Sequence, residues 1–171
     1  MNAPGTPGAA AIAPVVVFAL GNPSRGDDAI GPELAARLEA AGLPWVEVIV
    51  DFQLQVEHAL DLEERRLAVF IDAAIDAAAP CEVRRVAPAR DASHTSHALS
   101  PAAVLETFER VTGRIAPDAR ILAVRGETFE LGAPLSPRAR DNLEAAWSRL
   151  QELLDSVRED YGRPTPAKPP A

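Results

Sequence analysis

Two stretches of the chain carry no polar side chain: Val15-Val16-Val17-Phe18-Ala19-Leu20 and Leu67-Ala68-Val69-Phe70-Ile71. Both are too short to span a membrane. Both are too continuous for a half-solvated strand, in which polar and apolar side chains alternate. A strand buried on both faces satisfies this constraint, and such strands belong to parallel sheets covered by helices.

The rest of the chain alternates in the same way. Val46–Val50, Cys81–Val86 and Ala119–Val124 read as further strands, and Cys81–Val86, which mixes apolar with charged positions, suits an edge. A helix is expected over Gly31–Ala41, with Pro32 tolerated in its first turn. A short helix is expected near Val56–Glu64. Ser100-Pro101 and Ser136-Pro137 are both helix-start signals, a hydroxyl cap followed by proline at the first helical position. Val104, Leu105, Phe108 and Val111 follow the first at helical spacing. Leu143, Trp147, Leu150, Leu154 and Val157 form one stripe after the second. The prediction is a three-layer α/β domain over residues 15–158, with a twisted, mainly parallel five-stranded sheet between helices. A flexible segment, 1–14, precedes it and a proline-rich disordered tail, 159–171, follows it.

Lys and Arg number 17 against 25 Asp and Glu, so the net charge is −8. That balance disfavours a nucleic-acid partner, whose phosphates demand clustered cations. Cys81 is the sole cysteine and forms no internal disulfide, in keeping with a reducing compartment. The apolar run Ala9–Leu20 has neither a preceding Lys or Arg nor an uninterrupted core, because Pro14 breaks it. We expect a cytoplasmic monomer that binds neither membrane nor nucleic acid.

In open α/β sheets, ligands bind beyond the carboxyl ends of the strands. Three such ends carry chemistry. The first strand is followed by Gly21-Asn22-Pro23-Ser24-Arg25-Gly26-Asp27-Asp28, where a tight loop delivers two carboxylates to a helix start. Ionised acids are favoured there, either as ligands or simply as helix caps. Asp72 follows the second apolar run, which is the third strand, placed to bind an ion or to accept loop amides; Asp76, in the same loop, reads as solvated. Ser93-His94-Thr95-Ser96-His97 holds two of the three histidines, either metal ligands or loop residues. His58, in the short helix, reads as a partly exposed packing residue. Two carboxylates and an imidazole suit a first-row divalent ion such as nickel or zinc, and three protein ligands leave positions open for substrate or water.

Leu20-Gly21-Asn22-Pro23-Ser24-Arg25-Gly26-Asp27-Asp28-Ala29-Ile30-Gly31 resembles the opening motif of the hydrogenase maturation endopeptidases. Ile71-Asp72-Ala73 resembles their second motif, Thr95-Ser96-His97-Ala98-Leu99 their histidine loop, and Leu135-Ser136-Pro137 their entry into the last helix. The resemblance spans roughly Val15 to Val157. It implies a peptidase that trims the C-terminus of a nickel–iron hydrogenase large-subunit precursor after nickel insertion. It also implies that Asp28, Asp72 and His97 are both metal-binding and catalytic, with nickel arriving on the substrate. The first acid is often glutamate in that family; here it is aspartate, one methylene shorter. His94 does not match the motif position.

One departure is local. Many relatives carry Gly-Gly after the second strand, where this chain reads Asp51-Phe52-Gln53-Leu54-Gln55-Val56-Glu57. Asn22 and Gln53 are the candidate substrate contacts. Two other functions compete. Peptidyl-tRNA hydrolases share Leu-Gly-Asn-Pro, but Asp27-Asp28 replaces their histidine–asparagine pair and the charge disfavours tRNA. A non-catalytic nickel- or hydrogenase-binding adaptor would use the same three ligands. A dinucleotide-binding domain is disfavoured, because no G-x-G-x-x-G follows the first strand.

Overall fold

The computed structural model of the chain describes residues 12–91 and 98–161. Five strands form one sheet: β1 (Val15–Leu20), β2 (Val46–Asp51), β3 (Leu67–Ala74), β4 (Cys81–Arg85) and β5 (Asp118–Arg125). Their order is β2-β1-β3-β5-β4. The first four in that order run parallel, and β4 closes the far edge antiparallel to β5. β1 occupies the expected span residue for residue. β3 runs three residues past Ile71, because β5 continues beside it to the pair Ala74↔Arg125, whereas pairing with β1 stops at Ala19↔Ile71.

The period of two along the strands divides the apolar residues between two cores. Val15, Val17, Val69 and Ile71 face one way, against Leu34 and Leu38 of α1 (Ile30–Ala41) and Leu143 and Leu150 of α3 (Pro137–Tyr161). Val16, Phe18, Ala68 and Phe70 face the other way. There they meet α2 (Pro101–Thr112) through Val104, Leu105 and Phe108, and the 3-10 helix Val56–Leu62 through Ala59 and Leu62. Each fully buried Val, Leu, Ile or Phe contributes about 1.5–3 kcal/mol. Phe18 and Phe70 are register partners on adjacent strands and stack with ring centroids 5.1 Å apart.

Helix starts follow the local chemistry. Ser100 Oγ accepts a hydrogen bond from Ala103 N at 3.1 Å, with Pro101 opening α2. Val111, expected in the α2 stripe, is 62% exposed in the last turn, so the buried stripe ends at Phe108. α3 begins at Pro137 as expected and extends to Tyr161. Among the described residues no helix is long and apolar enough to cross a membrane.

The topology singles out one place for a site. β1 leads through α1 to β2 on one side, while β3 lies on its other side. The connections therefore diverge where the carboxyl ends of β1 and β3 meet, and ligands of open α/β sheets bind in such crevices.

Candidate functional site at the ends of β1 and β3

Gly21 opens the loop after β1 with φ +140°, and a Cβ on it would lie 2.0 Å from the Asp28 carbonyl oxygen. Only glycine lets the chain double back this closely. Asn22 N donates to Asp28 Oδ2 at 2.8 Å, and Ser24 N donates to Asn22 Oδ1 at 2.9 Å. The Asn22 side chain thus shapes the loop. Gly31 has a similar role one turn later, because a Cβ there would lie 2.1 Å from the Leu20 carbonyl oxygen.

The two adjacent acids part company. Both sit in a 3-10 turn, Gly26–Ala29, ahead of α1, and no side chain caps either helix start. The capping reading therefore falls for both. Asp27 is fully buried. Its Oδ2 accepts from Glu127 N at 2.7 Å, Thr128 N at 3.0 Å and Ser136 Oγ at 2.9 Å, and its Oδ1 accepts from Ser136 N at 2.7 Å. Burial alone pushes its pKa up, but these bonds outweigh that and hold it below the ordinary carboxylate value. Asp27 N also donates to the Thr128 carbonyl at 2.7 Å, so the turn is bound to the β5–α3 loop from both sides. Sequence reading missed this anchoring role, for which Ser136, singled out only as a helix cap, was the available signal.

Asp72 lies within β3, one residue beyond the last pair with β1, and projects to the same face as Phe70. Its carboxyl is raised to about 6, first by burial and then by the negative charge of Asp28, against a smaller opposing effect of the Ala73 amide. The charge of Asp28 therefore reaches Asp72 across the β1/β3 crevice. A carboxyl titrating near 6 is suited to accept and return a proton close to neutral pH. Two carboxylates this near also suit a divalent cation, whose charge would offset their repulsion.

Asp72 lines a cavity of about 320 Å³ together with Phe52, Gln53, Leu99 and Ser100. Gln53 lines the same cavity as Asp72. His94 and His97 lie outside the described residues. At the ends of that stretch, the Asp91 carboxylate accepts hydrogen bonds from Ser100 N, at 2.9 Å, and from the Ser100 hydroxyl. Ala98 and Leu99 border the Asp72 cavity, and Leu99 N donates to the Leu54 carbonyl at 2.9 Å. Among the described residues no group of three His, Cys, Asp or Glu side chains is placed to hold an ion.

The remaining candidates are elsewhere or otherwise engaged. His58 is 7% exposed, not partly exposed as expected. Its Nδ1 accepts from Gln55 N at 2.9 Å, its Nε2 lies 3.4 Å from Asp51 Oδ2, and its ring meets Phe18 edge-on. Cys81 sits on the edge strand β4, where burial raises its thiol pKa and so disfavours the nucleophilic thiolate. Asp76 is exposed.

No protein-family model matches the chain, and no curated protein matches it. Solved structures do. The hydrogenase maturating endopeptidase HybD from E. coli matches with a TM-score of 0.64 at 24% identity, over 85% of this chain and 92% of that one. The [NiFe] hydrogenase maturation protease HycI from Thermococcus kodakarensis KOD1 matches with a TM-score of 0.62 at 23% identity, over 84% and 93%. A hydrogenase 3 maturation protease matches with a TM-score of 0.58 at 22% identity, over 83% and 91%. The chain has the fold of the hydrogenase maturation endopeptidases.

Proposed function

We propose that this protein is an endopeptidase that removes a C-terminal peptide from the nickel-loaded large-subunit precursor of a nickel–iron hydrogenase. The observation that carries the reading is the meeting of Asp28 and Asp72 at the β1/β3 crevice, in a fold shared with proteins that bear the name of hydrogenase maturation proteases. Asp28, Asp72 and His97 receive nickel carried by the precursor, so the ion is part of the substrate and reports that insertion is complete. Docking lays the C-terminal peptide along the crevice, beside Asn22 and Gln53. The protein works as a monomer in the cytoplasm.

The place of Asp72 in the cavity beside the crevice supports a role in hydrolysis. Its carboxylate takes a proton from the attacking water as the water oxygen bonds to the scissile carbonyl carbon. The C–N bond then breaks and the proton passes to the departing amine. Holding the peptide bond beside these groups supplies much of the remaining acceleration.

The test is incubation of the purified protein with nickel-loaded and nickel-free precursor, followed by the mass of the large subunit. Shortening of the nickel-loaded form alone is expected. Binding without shortening would establish an adaptor instead, and efficient cleavage of nickel-free precursor would remove nickel as the recognition signal.

A further inference from the structure

Phe52 follows β2 directly and is 68% exposed. Val50 is exposed beside it on the same cavity, and apolar side chains exposed together at a cleft mark places where something else is bound. The Phe52 backbone is well anchored. Phe52 N donates to Asp51 Oδ1 at 2.6 Å, and Asp51 Oδ2 lies 3.4 Å from His58 Nε2. Because His58 Nδ1 accepts from Gln55 N, the ring proton belongs on Nε2 and faces Asp51. Asp51 Oδ1 is therefore held by the backbone, and Oδ2 lies near the His58 ring.

Phe52 also stands between two cavities. The first holds Asp72 and Gln53. The second, of about 370 Å³, is walled by Gly21, Pro23, Pro32 and Val50, with Asp51 its one charged lining residue among the described residues. Val50 is itself 48% exposed. The Gly21 wall belongs to the turn that folds onto Asp28, so the second cavity adjoins the candidate site. A charged side chain entering it would lose hydration, whereas an apolar one would gain by burial against Pro23, Pro32, Val50 and Phe52.

We infer that Phe52 is a specificity-determining residue that seats an apolar side chain of the substrate's C-terminal segment in the 370 Å³ cavity, while the scissile bond lies on its other side at Asp72. The assignment rests on the endopeptidase reading and adds to it the chemical class of the residue flanking the cut. Phe52 acts by packing on the bound peptide and leaves the Asp28–Asp72 arrangement unchanged.

The test compares the wild type, Phe52→Ala and Phe52→Leu on nickel-loaded precursor. Phe52→Ala is expected to lower kcat/KM by about tenfold or more, through KM, with an unchanged unfolding midpoint. Phe52→Leu, which keeps an apolar surface, is expected to recover most of the loss. Apolar residues of the precursor flanking the cut are then changed to Asp one at a time. At one position the loss seen with the wild type should be largely absent with Phe52→Ala. Equal kcat/KM for Phe52→Ala and the wild type, or losses that are additive at every position, would overturn the assignment while leaving the endopeptidase reading intact. A wild type that does not shorten the precursor would overturn both.

Discussion

Asp27, which binds the β5–α3 loop, and Asp72, which lines the crevice cavity, have opposite electrostatic outcomes. Asp27 exposes no surface, yet its pKa is lowered; Asp72 keeps some exposure, yet its pKa is raised to about 6. Burial opposes ionisation in both. The difference lies in the partners: Asp27 accepts four hydrogen bonds, whereas Asp72 has one helpful amide and the negative charge of Asp28. A buried acid surrounded by donors is structural, and one left short of donors is available for chemistry.

The largest effects should come from removing the proposed reactive group. Asp72→Asn is expected to lower precursor processing by about 10²–10⁴-fold, and His97→Ala to abolish it, as read by large-subunit mass. The same Asp72 variant should be more stable than the wild type at high pH. Unfolded Asp72 titrates near 3.8 and folded Asp72 near 6, so within that window the native state holds a proton the unfolded state has lost. Stability therefore falls as pH rises through the window, and the asparagine, which never ionises, escapes the loss. Urea unfolding at pH 8 should show a gain of about 1–3 kcal/mol that disappears at pH 3. Normal processing by this variant would end the proposed role of Asp72.

Asp27→Ala should do the reverse. It orphans four buried donors, so a stability loss of about 2–4 kcal/mol is expected in urea unfolding at neutral pH. Because the pKa of Asp27 is lowered, its contribution is present above the ordinary carboxylate range and is lost as pH falls through its folded value. Equal acid sensitivity of variant and wild type would break the contrast with Asp72. Gly21→Ala is expected to cost about 1–3 kcal/mol and to reduce processing, because its Cβ would displace the Asp28 backbone. His58→Ala should have the smallest effect, about 1–2 kcal/mol of stability with nickel affinity unchanged. A marked loss of affinity would make His58 part of the ion site.

Much of this arrangement was legible in the chain. β1 and β3 announced themselves because strands buried on both faces cannot carry polar residues, and the Ser-Pro pairs announced two helices because their chemistry is local. Asp72 was legible as the acid that closes a buried run, and Asp28 as an acid of the loop after β1. The extra three residues of β3 were not, because Asp72 interrupts the apolar run and only the pairing with β5 keeps the strand going. Nor was the role of Asp27, which at the sequence level cannot be told from its neighbour. Its partners lie 100 to 109 residues away, beyond the reach of any spacing rule. His58 was misjudged for a related reason: the Phe18 face that covers it comes from another strand.

That separation also orders events in time. The Asp27 carboxylate and Ser136 close a loop of most of the domain, and contacts so distant in sequence form only after the intervening chain has been made and gathered. On the ribosome, the turn bearing Asp28 emerges early and waits for Ser136, at the threshold of the last helix, before it can be clamped. The site is therefore completed from its far end, and a nascent chain halted before residue 136 has the opening motif without the clamp that holds it.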